Sequence, residues 1–366
     1  MRCTVAVATL LVSACGRIGF DESGSDVAGW THHKTITIDG AKVIGGPHAS
    51  FPVLVELASD AELAAGARSD GFDLRFTAAD GVTKLPYERE SFEPTTGALV
   101  AWVAVPSLPS GTSTTLDLYY GNPGALDQQQ PSAVWDAGYI GVWHLGEPGE
   151  VLADSTSNGN DAHPVNGLAV GASAHIGRGL TFDGADDYLV MNDSASLDST
   201  AAEATFSVWI NWTNPAIGHY QFVMSSSNRF VTPRNGFEWA SQPAGDHYFY
   251  PWGGIEQDFN LGPNPFTAGT WQYLVVTLDY TTHKVVIAVD GVPMATTQDV
   301  TTLWTMLAQP KDWMWGGNPN FSTAGWFSGS MDEIRVSATV RSAGWLATEL
   351  ANQRSPSTFY AVGPEI

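Results

Sequence analysis

The chain has 366 residues, with 16 lysines and arginines against 38 aspartates and glutamates, a formal net charge of −22. Nucleic acid binding needs a basic face to displace counterions, and so acidic a chain argues against it; the same field suits divalent cations, neutral ligands or plain solubility. With 43% hydrophobic and 15% charged residues the chain is able to bury a large core, its length suits two domains, and its 38 glycines, 21 prolines and 14 tryptophans point to strands joined by turns.

Cys3 and Cys15 are the only cysteines. Met1 and Arg2 open an apolar run ending in small residues before Cys15. The run is too short to span a bilayer and reads as the core of an export signal. Val12-Ser13-Ala14-Cys15 resembles the bacterial lipobox. That resemblance implies that residues 1–14 are a signal peptide and that Cys15 carries lipid. Gly16 at the next position implies a lipid-anchored protein of the cell envelope, at the outer membrane or cell surface. Residues 15–29 read as a flexible tether. Cleavage would leave a single cysteine, so no intramolecular disulfide is expected. No later segment is long and apolar enough to cross a membrane.

A first block covers residues 30–123. Strands are predicted at 34–38 (KTITI), 51–57 (FPVLVEL), 72–76 (FDLRF), 98–105 (ALVAWVAV) and 114–120 (TTLDLYY). In the third, Phe72, Leu74 and Phe76 share a face, which leaves Asp73 and Arg75 as an exposed pair. Residues 60–66 predict a helical turn or two, and the Asp-Gly pairs at 39–40, 70–71 and 80–81 mark turns. This spacing fits an antiparallel β-sandwich. Residues 70–77 (DGFDLRFT), 85–88 (LPYE), 100–103 (VAWV) and 118–123 (LYYGNP) resemble a bacterial domain of unknown function that often precedes laminin-G-like modules in envelope proteins. The resemblance implies no activity.

Residues 124–137 read as a linker, and 138–366 as a second block. Strands are predicted at 139–145, 179–184, 187–191, 205–212 and 327–336, with a hairpin of 271–278 and 284–289, the turn Asp290-Gly291 and a short continuation at 292–294. Ser342 is placed to cap a helix over 343–353. Residues 141–145 (GVWHL), 154–161 (DSTSNGND), 180–184 (LTFDG), 206–209 (FSVW), 289–291 (VDG) and 329–335 (GSMDEIR) resemble the laminin-G-like, concanavalin-A-like jelly roll. The expected fold class is all-β: two antiparallel β-sandwich domains, the second a concanavalin-A-like jelly roll with a short C-terminal helix. Members of that superfamily include sugar-binding modules, adhesion modules and glycosidases, so the fold leaves function open.

Two regions offer chemistry. In 154–161, side-chain oxygens alternate before a glycine, an arrangement able to wrap a hard cation. Asp154, Thr156 and Asn158 resemble the start of an EF-hand loop, but Val165 stands where its twelfth-position glutamate belongs. The laminin-G resemblance implies that an acid of the final strand, Asp332, joins this loop. The expectation is structural calcium on Asp154, Asn158 and Asp332; the alternative is an Asx-rich turn that satisfies its own backbone. Asp183, Asp186 and Asp187 form a second acidic cluster, equally readable as a turn. The other region, 239–266, is aromatic and read mainly as loop. Tyr248, Tyr250 and Trp252, with Gln257 and Asp258, would stack on sugar faces and meet hydroxyls, and Trp313 and Trp315 would line the same mouth. The competing reading is that such rings fill the sandwich core.

No complete catalytic motif is present. Laminarinase-like glycosidases carry Glu-x-Asp-x-x-Glu; here Glu256-Gln257-Asp258 is followed by Leu261 in place of the second glutamate. Gly-x-Ser-x-Gly and His-Glu-x-x-His are missing. The sequence therefore reads as a non-enzymatic binding protein for carbohydrate. The alternatives are an adhesion or scaffold protein for other envelope proteins and, less favoured, a glycoside hydrolase.

Overall fold

The computed structural model describes residues 27–198, 203–214, 219–226, 235–242, 246–253, 259–263, 265–279, 281–282, 284–294, 298–299, 312–318 and 325–366. The lipobox-like residues 12–15, with Cys15, lie outside them.

The first block contains β1 (His32–Ile38), β2 (His48–Leu57), α1 (Ala61–Gly66), β3 (Arg75–Ala78), β4 (Tyr87–Glu93), β5 (Ala98–Leu108) and β6 (Thr114–Tyr120). The second contains β7 (Tyr139–Trp143), β8 (Ala162–Val165), β9 (Ala169–Ser173), β10 (Arg178–Asp183), β11 (Tyr188–Met191), β12 (Glu203–Trp212), β13 (Gln221–Ser225), β14 (Asn235–Ser241), β15 (Asp246–Gly253) and β16 (Phe259–Pro263). It continues through β17 (Trp271–Asp279), β18 (Lys284–Val289), β19 (Val292–Pro293), β20 (Gln298–Asp299), β21 (Trp313–Trp315) and β22 (Ser328–Ser337). The chain ends in α2 (Ala343–Arg354), α3 (Pro356–Phe359) and β23 (Tyr360–Glu365).

The chain is thus nearly all-β, and the named strands pair antiparallel. In the first block a sheet ordered β2-β5-β4 faces one ordered β23-β1-β6-β3. In the second, a seven-stranded sheet ordered β16-β15-β14-β13-β21-β11-β8 faces a nine-stranded sheet whose main path is β19-β18-β17-β12-β22-β10-β9, with β7 paired on β22. Successive side chains of a strand point to opposite faces, and β12 shows the result. Phe206, Val208, Ile210 and Trp212 enter the core between the sheets, while Trp209 belongs to a separate apolar cluster on the outside with Tyr273, Val275 and Leu350.

Two expectations are corrected. β3 begins only at Arg75, because residues 70–73 form a turn: Phe72 is 37% exposed while Leu74 and Phe76 are buried. Asp73 and Arg75 are not an exposed pair. The buried Asp73 carboxylate accepts from the backbone N–H groups of Arg68, Gly121 and Asn122, and Arg75 lies over the Trp30 ring. The second correction concerns the chain end, which the sequence places wholly in the second block. β23 pairs with β1 and completes the first block's sheet.

Helix α2 explains how the ends meet. Ser342 caps it by accepting from Trp345 N at 3.1 Å. Thr348 and Asn352, one turn apart, face the first block, and Glu349 and Gln353 face the second. The Asn352 amide donates to Leu54 O and accepts from Leu54 N at 3.0 and 2.7 Å. Tyr360 Oη does the same for the backbone of Glu56. Together they occupy the free backbone groups of edge strand β2, which would otherwise be unpaired. On the other side, Gln353 Oε1 accepts from Trp209 Nε1 and Glu349 Oε2 accepts from Tyr273 Oη.

Asn352→Ala removes both partners of the buried Leu54 backbone and is expected to cost about 1–3 kcal/mol in chemical denaturation. Arg354→Ala, which loses only the exposed pair with Asp290, is expected to cost about 0–1 kcal/mol.

Candidate functional site

The aromatic segment is built of strands rather than loop. β14, β15 and β16 form consecutive antiparallel pairs at one end of the seven-stranded sheet. Alternation decides the fate of each ring. On β15, His247 and Phe249 are buried, and His247 contacts Trp212, Trp239 and Phe266. Tyr248 between them is half-buried, opposite Ala240 of β14. Tyr250 and Trp252 lie on the same strand, opposite Glu238 and Gly236. Gln257 and Asp258 lie outside the described residues. Trp313 and Trp315 do not line a mouth: they are 5% and 1% exposed, and Trp313 packs on Phe206 and Phe237 inside the sandwich. Of the seven proposed ligand-binding residues, the structure thus keeps three on one strand and moves two into the core.

The loop 154–161 is compact and internally bonded. Asp154 Oδ1 accepts from Val142 N and Thr156 N, and Oδ2 from Thr156 Oγ1 and Asn160 N. Asn158 turns its amide nitrogen to the carbonyls of Tyr139 and Ile140. Asp332 is bonded elsewhere, accepting from Ile176 N. With both Asp154 oxygens filled by four donors and Asp332 on a different contact, this trio does not fit calcium as arranged. The loop instead braces the two blocks: Ser155 Oγ donates to Glu88 Oε1 at 2.6 Å. The cluster Asp183, Asp186 and Asp187 is a turn in which Asp187 accepts from Asp183 N and Asp183 from Ala185 N.

The densest polar chemistry lies where the two blocks meet, and the sequence reading missed it. On β22 the register against β12 shifts between Ser207 and Trp209, and Glu333 adopts a left-handed φ of 55°. This bulge re-aims the strand. Asp332, Glu333 and Arg335 leave the core side to Met331, Ile334 and Val336. His144, just beyond β7, lies between carboxylates: Nδ1 is 2.7 Å from Glu333 Oε1 and 3.8 Å from Glu90 Oε2, and Nε2 is 3.2 Å from Glu88 Oε2. Trp102 stacks on its ring. Arg335 donates to Glu333 Oε2 at 2.7 Å and to Glu349 Oε1 at 2.5 Å, with its guanidinium over the rings of Trp102 and Trp135. His144, Glu333, Arg335 and Asp332 are each at most 1% exposed.

Burial opposes charge throughout this cluster, and the neighbours decide each outcome. Burial disfavours the His144 imidazolium, but Glu333 and Glu88 hold its pKa well above the ordinary value. Burial raises the Glu333 carboxyl, and His144 and Arg335 outweigh it, so it ends low. For Asp332 and Glu90 burial wins, reinforced by Glu333, and both are pushed well up. Nearby, burial pushes the His175 imidazole down to about 4; its ring stacks on Trp209. So closed a network has no room for a substrate and acts by holding structure. One signal was available in the sequence: His144 inside the apolar run 139–145, and three charged residues, Asp332, Glu333 and Arg335, within the predicted strand 327–336.

Residues 183–347 match the model of the concanavalin A-like lectin/glucanases superfamily, and residues 70–140 match the domain of unknown function DUF2341. No curated protein matches the chain. Among solved structures, a Trypanosoma rangeli sialidase bound to a difluorinated sugar acid is 13% identical, with 70% of this chain and 41% of that one covered and a TM-score of 0.48. The fourth domain of an extracellular arabinanase from Geobacillus stearothermophilus, in complex with arabinotriose, is 15% identical, with 59% and 100% covered and a TM-score of 0.46. The binding domain of a paraclostridial mosquitocidal protein is 11% identical, with 58% and 52% covered and a TM-score of 0.46. The chain spans only 34% to 52% of the first structures it matches.

Arg335→Ala leaves Glu349 buried without its cation and Glu333 with His144 alone, and is expected to cost about 3–5 kcal/mol. A loss no larger than that of an exposed pair, about 0–1 kcal/mol, would contradict the closed network. His175 predicts a pH effect of definite sign. Below an unfolded pKa of about 6.5 the unfolded imidazole takes up a proton that the folded one refuses until about pH 4. Stability from this group is therefore complete above that upper value and declines as pH falls. His175→Gln is expected to flatten the slope of unfolding free energy between about pH 6.5 and 5.

Proposed function

We propose that this chain is a non-catalytic binding protein of the cell envelope, lipid-anchored through Cys15, whose concanavalin-A-like sandwich binds carbohydrate. The observation that carries this reading is the match of residues 183–347 to the concanavalin A-like lectin/glucanases superfamily. Tyr248, half-buried on β15 and sharing that strand with Tyr250 and Trp252, supports it as the place where a sugar ring stacks. The net charge of −22 favours a neutral glycan over an acidic one. Calcium is not required by this reading, since the oxygens of Asp154 are already engaged.

The test is a polysaccharide and glycan array with the soluble chain from Asp21 onward, in calcium and in EDTA. Binding to a definable sugar class in both buffers is expected. One aromatic contact is worth about 0.5–1.5 kcal/mol beyond its area, so Tyr248→Ala is expected to weaken affinity by about two- to tenfold in a chain that remains folded. A folded chain that binds no glycan, and instead retains outer-membrane proteins, would replace the carbohydrate reading with that of an adhesion or scaffold protein. Reducing sugar released from a bound polysaccharide, and lost in Glu256→Gln, would make the chain a glycoside hydrolase.

A further inference from the structure

We propose that the pocket between α2 and strands β17 and β18 binds the hydrocarbon tail of a neutral, single-chain amphiphile. The pocket lies on the outer face of the nine-stranded sheet, whereas Tyr248 belongs to the seven-stranded one, so the site is independent of the carbohydrate reading. It arises from how far α2 reaches. Leu274, Val276 and Leu278 of β17, with Val285, Ile287 and Val289 of β18, enter the core, which turns Val275, Thr277, Val286 and Ala288 outward. α2 packs on β17 through Leu346 and Leu350, against Tyr273 and Val275. β18 lies one strand further, and its Val286 and Ala288 stay half-buried. The helix lines the pocket there with Ala343 and Ala347, one turn apart, whose short side chains leave the gap.

Size and shape select the occupant. The pocket has a volume of about 310 Å³. An apolar cavity of ~150 Å³ holds one benzene ring, so this one holds roughly a dozen carbon atoms. Its floor is a strip two strands wide, with Val275 opposite Ala288 and Thr277 opposite Val286. From Tyr273 to Thr277 the strip runs roughly 14 Å, at ~3.4 Å per residue. So long and narrow a trough suits an extended tail better than a fused ring system. Val292, 68% exposed, continues the apolar surface beside Pro293 of the lining.

The lining sets the polarity. Each polar side chain in it has a partner within the protein. Tyr273 Oη donates to Glu349, Ser342 Oγ accepts from Trp345 N, and Thr277 Oγ1 donates to Val286 O at 3.5 Å. Arg341, the one charged residue of the lining, makes two bonds of 2.7 Å to Asp136 and lies over the rings of Tyr139 and Trp345. A buried water needs two to four polar partners and finds no uncommitted side chain here. A sugar or a carboxylate meets the same lack, and the net charge of −22 repels an anion. A hydrocarbon needs no such partner and gains by leaving water.

The experiment uses the soluble chain from Asp21, with decanol as the ligand and displacement of the fluorescent probe phenylnaphthylamine as the readout. One saturable site per chain is expected. Along the linear alcohols from hexanol to tetradecanol, affinity is expected to rise about fourfold per methylene and to level off at about a dozen carbons, where the pocket is full. Ala288→Leu and Ala347→Leu narrow the pocket from its two walls, and each is expected to weaken decanol binding by at least about tenfold in a folded chain. Should both variants fail to fold, the length series on the wild-type chain decides, because a tail held on an open surface keeps gaining with length. No saturable decanol binding, affinity that climbs through the whole series, or affinity unchanged in the folded variants overturns the proposal. Decanoate bound more tightly than decanol overturns the neutral class. A chain that sediments as a dimer and takes up the probe only when dissociated gives the pocket to a second copy, and overturns it too.

Discussion

A guanidinium taken out of water costs several kcal/mol unless its charge is met, and the way Arg335 is met ties the two halves of this protein together. Its partners come from four places: Glu333 two residues before it, Glu349 on α2, Trp102 on β5 and Trp135 in the linker. Neither half supplies the set alone. The bulge at Glu333 makes the arrangement possible, because regular alternation would send Glu333 into the sandwich core. One residue in a left-handed conformation thus turns an ordinary core strand into half of an interdomain contact.

The chain end adds a second tie. An isolated first block would leave β1 without β23 and β2 with an open edge. The residues that repair both lie some 300 positions later: Asn352 and Tyr360 bond the backbone of Leu54 and Glu56. Contacts so distant in sequence form late, because the loop must close before the contact rewards it. The first block therefore reaches its final form only with the last residues of the chain. α2 serves the two halves with adjacent faces, and so carries the buried polar residues Thr348, Glu349, Asn352 and Gln353 where an ordinary surface helix would show one apolar stripe.

The strands were largely legible, since period-two alternation and Asp-Gly turns are local signals. β1, β2, β5, β6, β12, the β17–β18 hairpin and β22 fall close to where the sequence predicts them, and Ser342 caps α2 as expected. What failed was whatever depended on partners. Trp313 and Trp315 read as well for a sugar platform as for a core, and only their pairing with β11 and β13 shows which. Asp154 and Asn158 offer the right atoms for a cation, but backbone N–H groups and the Thr156 hydroxyl occupy Asp154, and the Asn158 amide nitrogen donates to the carbonyls of Tyr139 and Ile140. The pairing within the Glu88–Glu90–His144–Glu333 network was hidden for the same reason: His144 and Glu333 stand 189 residues apart. In sequence each glutamate looks like the solvent-facing member of an alternating strand. β23 escaped notice because six residues at a chain end, with one proline and one glycine, carry little periodicity.

The boundary between the halves also bears on where a ligand can reach. The superfamily match begins at residue 183, yet β7, the loop 154–161 and His144 lie before it and are needed to finish the nine-stranded sheet and its outer face. Much of that outer face is spent on structure: Trp209 and Tyr273 lie under α2, and Arg335 and His144 lie under the first block. Among the described residues, the concanavalin-A-like half is left with its seven-stranded sheet as the face not committed to the first block. β15 runs near one end of that sheet, with Tyr248 half-buried between two core residues. A ring in that position is already ordered by its neighbours. Under the proposed carbohydrate reading, stacking there would lose little side-chain entropy, which would favour recognition by a few well-placed contacts over an extensive interface.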